Sequence, residues 1–213
     1  SGLTASQLNA VNALTSLPVE ATAVTAMSGS YTEITDLYDS GEFSGLGDET
    51  IEITDELSVA EANTLDDLTT GSIVATIGNT RVSNLLGSAS LSDANGNNAY
   101  TISISTEDAA VSASDLNAIN NLTSVPVDLA NVTSITASDF DDLTTLNTNR
   151  AEFSNITGIT AITVTDNGGG EESVDYGTLE TIIDNYQTNF NSDVAFSLQS
   201  EDTIVIDSDS ELS

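Results

Sequence analysis

Leu8, Val11 and Leu14 stand three residues apart, as do Leu116, Ile119 and Leu122, with polar or small residues between them. Such spacing places apolar side chains on one face of a helix. Ser6 and Ser114 sit where an N-cap is needed. Pro18 and Pro126, past the last apolar position, are expected to end the two helices. Short β-rich stretches follow at residues 19–27, 73–77 and 127–135, and a second helical spacing covers residues 31–38, 80–86 and 138–146. Alternation of apolar with hydroxyl or acidic positions predicts strands at residues 50–55, 100–105, 161–166 and 203–207.

The same order recurs because the sequence repeats. Residues 4–29, TASQLNAVNALTSLPVEATAVTAMSG, align without a gap on residues 112–137, SASDLNAINNLTSVPVDLANVTSITA, at an offset of 108. A weaker copy lies at half that offset in residues 59–77, where Asn63, Leu65, Leu68 and Ile73 fall on Asn9, Val11, Leu14 and Val19. A degenerate fourth copy runs through residues 174–183, with Leu179, Ile182 and Ile183 as its apolar face. Units near residues 4–57, 58–110 and 111–166 therefore make a repeat domain over 1–166, and residues 167–213 form a diverged terminal unit suited to assembly.

Two strand–helix pairs in each unit give about 25–30 residues per coil, within the range of helical and leucine-rich repeats. A single coil cannot bury its own apolar stripe, and stacked neighbours make one continuous core. The expected fold is α/β: a right-handed repeat solenoid of leucine-rich-repeat-like coils, with a parallel sheet on one face and short helices on the other. The abundance of small and β-branched side chains suits close stacking of coils. The alternative is a β-rich sandwich in which the short helices are loops.

Composition narrows the chemistry. The chain carries 34 carboxylates against two basic residues, Arg81 and Arg150, for a net charge of -32, and has no His, Cys, Lys or Trp. No Ser-His-Asp or Cys-His machinery can be assembled from such a set. The usual zinc, copper and iron–sulfur ligand sets, a Schiff base and a Walker-type phosphate loop are excluded too. Paired-carboxylate hydrolysis needs two acids about 5–9 Å apart across a sugar-binding cleft. The five Tyr and five Phe are scattered rather than clustered to line one, so an enzyme is not expected.

The charge repels nucleic acid and anionic membranes and attracts divalent cations. At marine or higher salt, with a Debye length of about 3–5 Å, the mutual repulsion of carboxylates is largely screened. A saline or calcium-rich medium fits this surface; the plainer reading is that the acids merely solubilise a repeat. Absence of Cys leaves no disulfide or redox role. No run of about 18 apolar residues exists to cross a membrane. Ser1-Gly2-Leu3-Thr4 is not a signal peptide, and the repeat is under way by Thr4, so a mature or excised segment is expected.

The stretches LNAVNALTSLPVEATAVTAMSG, YTEITDLYDSGEFSGLGDETIEITD and LNAINNLTSVPVDLANVTSIT resemble repeats in very large secreted proteins of aquatic bacteria, especially marine cyanobacteria. The resemblance runs to about residue 165. In that family the unit often lies beside hemolysin-type calcium-binding or surface-layer regions. It implies export, a cell-surface or matrix role, and no catalytic residues. The chain lacks a GGxGxDxUx nonapeptide, so the resemblance does not extend to a calcium roll.

Two loops have the oxygen-rich make-up of a calcium site. In Asp93-Ala94-Asn95-Gly96-Asn97-Asn98, the side chains of Asp93, Asn95 and Asn97 would be ligands, although the EF-hand positions of Gly and Glu are not matched. A Gly/Asn turn before the Tyr100 strand accounts for the same residues. In Asp166-Asn167-Gly168-Gly169-Gly170-Glu171-Glu172, Asp166 and Glu171 would ligate calcium, or backbone amides would hold an anion against unfavourable flanking charge. A flexible hairpin or repeat insertion is the plainer reading. Asp207-Ser208-Asp209-Ser210-Glu211 reads as an ion site at a subunit junction or a solvated tail, and Asp139, Asp141 and Asp142 suit a helix start. Asn121, Asn131 and Asn155 open sequons that arise readily in an Asn- and Thr-rich chain.

The function expected is that of an extracellular structural subunit that polymerises with itself into a surface layer, sheath or filament. The alternative is a calcium-dependent adhesin or carbohydrate-binding module whose partner is a surface glycan.

Overall fold

The strands of this protein run almost directly into its helices, because the last extended residue also caps the helix. The computed structural model describes residues 2–78, 80–94, 96–165, 173–199 and 205–207. They form an α/β structure with seven α-helices, in which every strand pair among the described residues is parallel. The chain divides into two compact units, residues 1–102 with 121–125, and residues 103–120 with 126–213.

In the first unit the order is β1 (Leu3–Thr4), α1 (Ala5–Asn12), β2 (Val19–Glu20), β3 (Ala26–Gly29), α2 (Tyr31–Asp39), β4 (Phe43–Ser44), β5 (Thr50–Leu57), α3 (Val59–Asp66), β6 (Ile73–Ile77), α4 (Val82–Leu85) and β7 (Ala99–Thr101). Thr4, Ser30 and Ser58 keep extended backbones and cap α1, α2 and α3, each completing a capping box with Gln7, Glu33 or Glu61. Each hydroxyl cap contributes about 1 kcal/mol and sets where its helix begins. The bulge in β5 between Glu52 and Glu56 brings Asp55 Oδ1 to 2.9 Å from the amide of Tyr31, the first residue of α2.

The main sheet runs β1-β3-β5-β6-β7. Leu3 faces Met27, Ala26 faces Thr50, Ile51 faces Ile73 and Val74 faces Ala99, so successive strands lie 22 to 25 residues apart in the chain. Alternate residues Ile51, Ile53, Leu57, Ile73, Ala75 and Ile77 are buried with Ala5, Leu8, Ile34, Leu37, Ala62, Leu65 and Leu85 from the helices. Fully burying a Leu or Ile contributes about 1.5–3 kcal/mol, which makes this helix-on-sheet layer the main stabilising element.

The second unit repeats this order for its first seven strands and α-helices and then departs from it: β8 (Ala110–Ser112), α5 (Ala113–Asn120), β9 (Val127–Asp128), β10 (Ser134–Ala137), α6 (Phe140–Thr148), β11 (Phe153–Ser154), β12 (Ala161–Thr165), β13 (Ser173–Asp175), α7 (Tyr176–Asn189), β14 (Ala195–Gln199) and β15 (Val205–Asp207). Its sheet runs β8-β10-β12-β14, and β13 pairs with β15. Ser112 and Asp139 take up the capping role, accepting from the amides of Asp115 at 2.9 Å and Asp142 at 2.8 Å. Tyr186 is buried, stacks on Phe190 with ring centroids 4.5 Å apart, and donates its hydroxyl to Leu143 O at 2.9 Å.

The repeat at offset 108 persists in the hydrogen bonds. Ala21 N donates to Ser44 O and Leu129 N to Ser154 O, while Val24 N returns to Ala21 O and Val132 N to Leu129 O. Val19 and Val127 therefore belong to small side ladders, β2-β4 and β9-β11, separate from the main sheets. The expected continuous β stretches at 19–27 and 127–135 are each two short strands for this reason.

Three other expectations need correction. Thr4, not Ser6, caps α1; Ser6 and Ser114 lie inside their helices. The helices end at Asn12 and Asn120, well before Pro18 and Pro126, which instead introduce β2 and β9. Leu8, Val11 and Leu14 do not form one buried face: Leu8 is buried, Val11 is half exposed, and Leu14 lies past the helix end in solvent. The helices themselves exist, so the β-sandwich alternative does not describe this chain.

Candidate functional site: the Leu-Thr turns and the exposed apolar residues near them

Three loops in the chain share a Leu-Thr-Ser or Leu-Thr-Thr turn after a helix: Leu14-Thr15-Ser16, Leu68-Thr69-Thr70 and Leu122-Thr123-Ser124. Each Thr hydroxyl accepts from the amide two residues on, Leu17 N at 3.0 Å, Gly71 N at 2.9 Å and Val125 N at 3.2 Å. Short hydroxyl side chains favour such turns because they satisfy a backbone donor locally. The hydroxyl proton is left to donate elsewhere.

In two of the loops the donors meet backbone carbonyls at or just before the start of a strand. Thr69 Oγ1 donates to Glu49 O at 2.9 Å, and Thr70 donates to Gly47 O from both its amide, at 2.8 Å, and its hydroxyl, at 3.2 Å. Thr123 Oγ1 donates to Tyr100 O at 2.8 Å, and Ser124 donates to Asn98 O from its amide at 2.8 Å and its hydroxyl at 3.0 Å. Both loops thus hold two carbonyls spaced two residues apart: Gly47 and Glu49 in the bend before β5, where Gly47 has a φ of 125°, and Asn98 and Tyr100 at the start of β7. In the first loop Thr15 and Ser16 are exposed, and among the described residues no acceptor stands against Thr15 Oγ1 or the Ser16 amide and hydroxyl.

Apolar exposure marks the same place. Among the described residues the exposed large apolar side chains are Leu3, Val11, Leu14, Leu17 and Val74. The first four lie within residues 3–17. Leu3 is 43% exposed and Val11 49%, whereas their equivalents 108 residues on, Val111 and Ile119, are 3% and 0% exposed. Leu14 and Leu17 are 87% and 70% exposed, whereas Leu122 and Val125 are half-buried. Residues 1–32 also carry a single carboxylate, Glu20, out of 34 in the chain. Sequence reasoning read the three Leu-Thr turns only as helix faces; their shared Leu-Thr-Ser/Thr spelling at intervals of 54 was the available signal.

The first proposed calcium loop is organised by its own backbone. Asp93 Oδ1 accepts from the amides of Asn97 and Asn98 at 3.1 Å each, and Gly96 takes a positive φ of 67°. Asn98 turns inward, where its Nδ2 donates to Asp66 Oδ1 at 2.8 Å and its Oδ1 accepts from Ile73 N at 2.8 Å. Asp66 Oδ2 accepts from Ser92 Oγ at 2.7 Å and Ala94 N at 3.1 Å. Burial pushes the Tyr100 hydroxyl pKa upward, and the nearby Asp66 and Asp93 charges add to it. Asn95 lies outside the described residues, as do Asp166 and Glu171 of the second loop and Ser208 to Glu211 of the tail. Among the described residues no group of three or more carboxylates is placed to hold a metal ion.

The remaining polar candidates are engaged locally. Asp139 caps α6; burial first, then Asp139, Asp141 and Asp115, raises the pKa of Asp142. At Asp128 burial acts upward, but hydrogen bonds from Asn155, the Ala130 amide and Ser103 outweigh it and hold the carboxyl below its ordinary range. Of the sequon residues, Asn131 donates to Ile104 O at 2.8 Å and Asn155 to Asp128 Oδ1 at 2.8 Å, while Asn121 is exposed. No helix among the described residues is long and apolar enough to cross a membrane. No known protein family, curated protein or solved structure matches this chain.

Proposed function

We propose that this chain is an extracellular structural repeat protein, its strand–helix coils wound as a right-handed solenoid and its copies assembling into a layer, sheath or filament. The parallel ladders, stepping 22 to 25 residues from strand to strand in the first unit, support the coil reading. A right-handed turn is the rule for strand–helix–parallel strand connections. The acid-rich, cysteine-free composition and the resemblance to secreted repeats of aquatic bacteria support an extracellular, saline setting.

The observation that carries the assembly reading is the difference between repeat equivalents. Leu3 and Val11 are exposed where Val111 and Ile119 are buried. A stacked coil has to cover its apolar face, and an uncovered one suits a neighbour, whether a second copy or a further coil of a longer chain.

Electron microscopy of the purified chain in about 0.5 M salt, where surface repulsion is screened, with and without calcium, tests this. Ordered filaments or sheets are expected. Persistent monomers in both conditions would sink the reading and favour a calcium-dependent adhesin or glycan-binding module instead.

A further inference from the structure

We propose that Glu49 holds a monovalent cation of the sodium class inside the first unit, as the counter-charge that the chain itself does not supply. The inference stands apart from the self-assembly reading.

Glu49 is the residue before β5, and Glu49, Ile51 and Ile53 are buried in alternation. Its side chain therefore enters the layer between sheet and helices beside those of the two isoleucines. The residue is 0% exposed. One carboxylate oxygen is well served: Oε2 accepts from the amides of Gly47 at 2.8 Å and Asp48 at 3.2 Å. The other is not. Oε1 is buried and has no hydrogen-bond partner among the described residues. Buried polar atoms are ordinarily paired, because a bare one gives up its hydration without return.

Glu49 is held where it stands. Its carbonyl accepts from the hydroxyl of buried Thr69 at 2.9 Å, and a Cβ on Gly71 would run into that carbonyl. The two amides on Oε2 fix the side chain as well. Nor does the chain supply a partner. Arg81 and Arg150 are its two basic residues, and neither reaches Oε1. Tyr38, in the last turn of α2, does not serve it either, for its own buried hydroxyl is unpartnered.

A small cation meets this need better than the other occupants. It offsets the charge, whereas a water molecule only hydrates one oxygen. A divalent calcium ion takes about six to eight oxygens, commonly from several carboxylates. Among the described residues no group of three or more acidic side chains is placed for one, and a single carboxylate oxygen matches a single positive charge. Supply is assured, since a net charge of -32 gathers cations around the chain.

Thermal unfolding followed by circular dichroism compares wild type, Glu49→Gln and the control Glu52→Gln in sodium chloride and in choline chloride. Both salts are at about 0.5 M, so that screening is equal and only the size of the cation differs. Glu52 is exposed on the opposite face of β5. An ion that binds only the folded state raises its midpoint. Wild type and Glu52→Gln should melt about 3–5 °C higher in sodium than in choline, and Glu49→Gln at the same temperature in both. An equal sodium increment in all three proteins would put the ions on the surface and overturn the proposal. So would the absence of an increment in wild type, which would leave Oε1 to a water molecule or a proton. Should Glu49→Gln fail to fold, the wild type alone decides. Replacing choline stepwise by sodium at constant ionic strength should raise the midpoint along a saturating curve. A midpoint that climbs without saturating, or does not move, overturns the site.

Discussion

Asn98 Nδ2 donates to Asp66 Oδ1 at 2.8 Å inside the first unit, with Asn98 wholly buried and Asp66 nearly so. The pair joins residues 32 apart in the chain. Asn98 also accepts from the Ile73 amide at the head of β6, and its carbonyl is the one gripped by Ser124. Asn98→Ala is expected to lower stability by about 3 kcal/mol, since it strands the Ile73 amide and one oxygen of a buried carboxyl. Urea unfolding measures the loss. Asn98→Asp should be worse at neutral pH, where two carboxyls would face each other, and should recover part of the difference in acid. A change below about 0.5 kcal/mol for Asn98→Ala would show that water replaces the amide.

The three Leu-Thr turns predict a graded response within the folded chain. Thr69→Val removes a buried hydroxyl that serves both Glu49 O and Gly71 N and should cost about 2 kcal/mol. Thr123→Val, at a half-buried site, should cost about 1 kcal/mol. Thr15→Val should stay within about 0.5 kcal/mol of wild type when measured at concentrations too low for assembly. Equal losses at all three would mean that the turn itself, not the carbonyls it holds, supplies the stability.

Gly71 follows the second turn and lies against the backbone of Asp48 and Glu49. A Cβ there would run into the carbonyl of Glu49 and come within 2.8 Å of Asp48 O, both of them backbone. Because backbone cannot swing aside, Gly71→Ala should cost about 2–3 kcal/mol. Thermal unfolding would detect this as a clear drop in midpoint. Gly41→Ala meets nothing within 4 Å, and any loss there reports only its positive φ of 66°.

Asp142 and Asp128 should respond to pH with opposite signs. The folded pKa of Asp142 is raised, by burial and then by Asp139, Asp141 and Asp115, so its contribution is full below the unfolded Asp pKa and is lost as pH rises through the folded value. Asp142→Asn should therefore raise the melting temperature at neutral pH, less so in high salt, and not in strong acid. The folded pKa of Asp128 is lowered, its hydrogen bonds outweighing burial, so its contribution is present above the unfolded pKa and is lost as pH falls through the folded value. Asp128→Asn should destabilise at neutral pH and become harmless in acid. Parallel pH profiles for the two variants would contradict both assignments.

Much of the local structure was legible because its causes are local. The spacing of Tyr31, Ile34 and Leu37 is that of a helix, and α2 begins at Tyr31 behind the Ser30–Glu33 capping box. The alternation of Ile51 and Ile53 with Glu52 is that of a strand, and β5 starts at Thr50. Of the expected apolar face Leu179, Ile182 and Ile183, the first two are buried in α7 and Ile183 is half-buried. The side ladders β2-β4 and β9-β11 were not legible, since Val19 and Val127 look like any β-branched strand residue until their partners Phe43 and Phe153 are known. Asn63 and Asn117 were seen as repeat matches, but only the fold reveals their work: Asn63 spans to Ser90 O and Ser92 N, and Asn117 donates to Asp142 O.

What the sequence by itself determined is the alternation of strand and helix, the period of the repeat, and the chemistries that a chain without His, Cys or Lys cannot perform. These follow from side-chain type and short-range spacing. Only the tertiary structure decided which copies of a repeated residue are covered. Leu3 and Val111, or Val11 and Ile119, occupy the same place in the same pattern, yet one of each pair is exposed and the other buried. Burial depends on which chain segment lies across the face, and the repeat pattern is identical whether or not a neighbour is there.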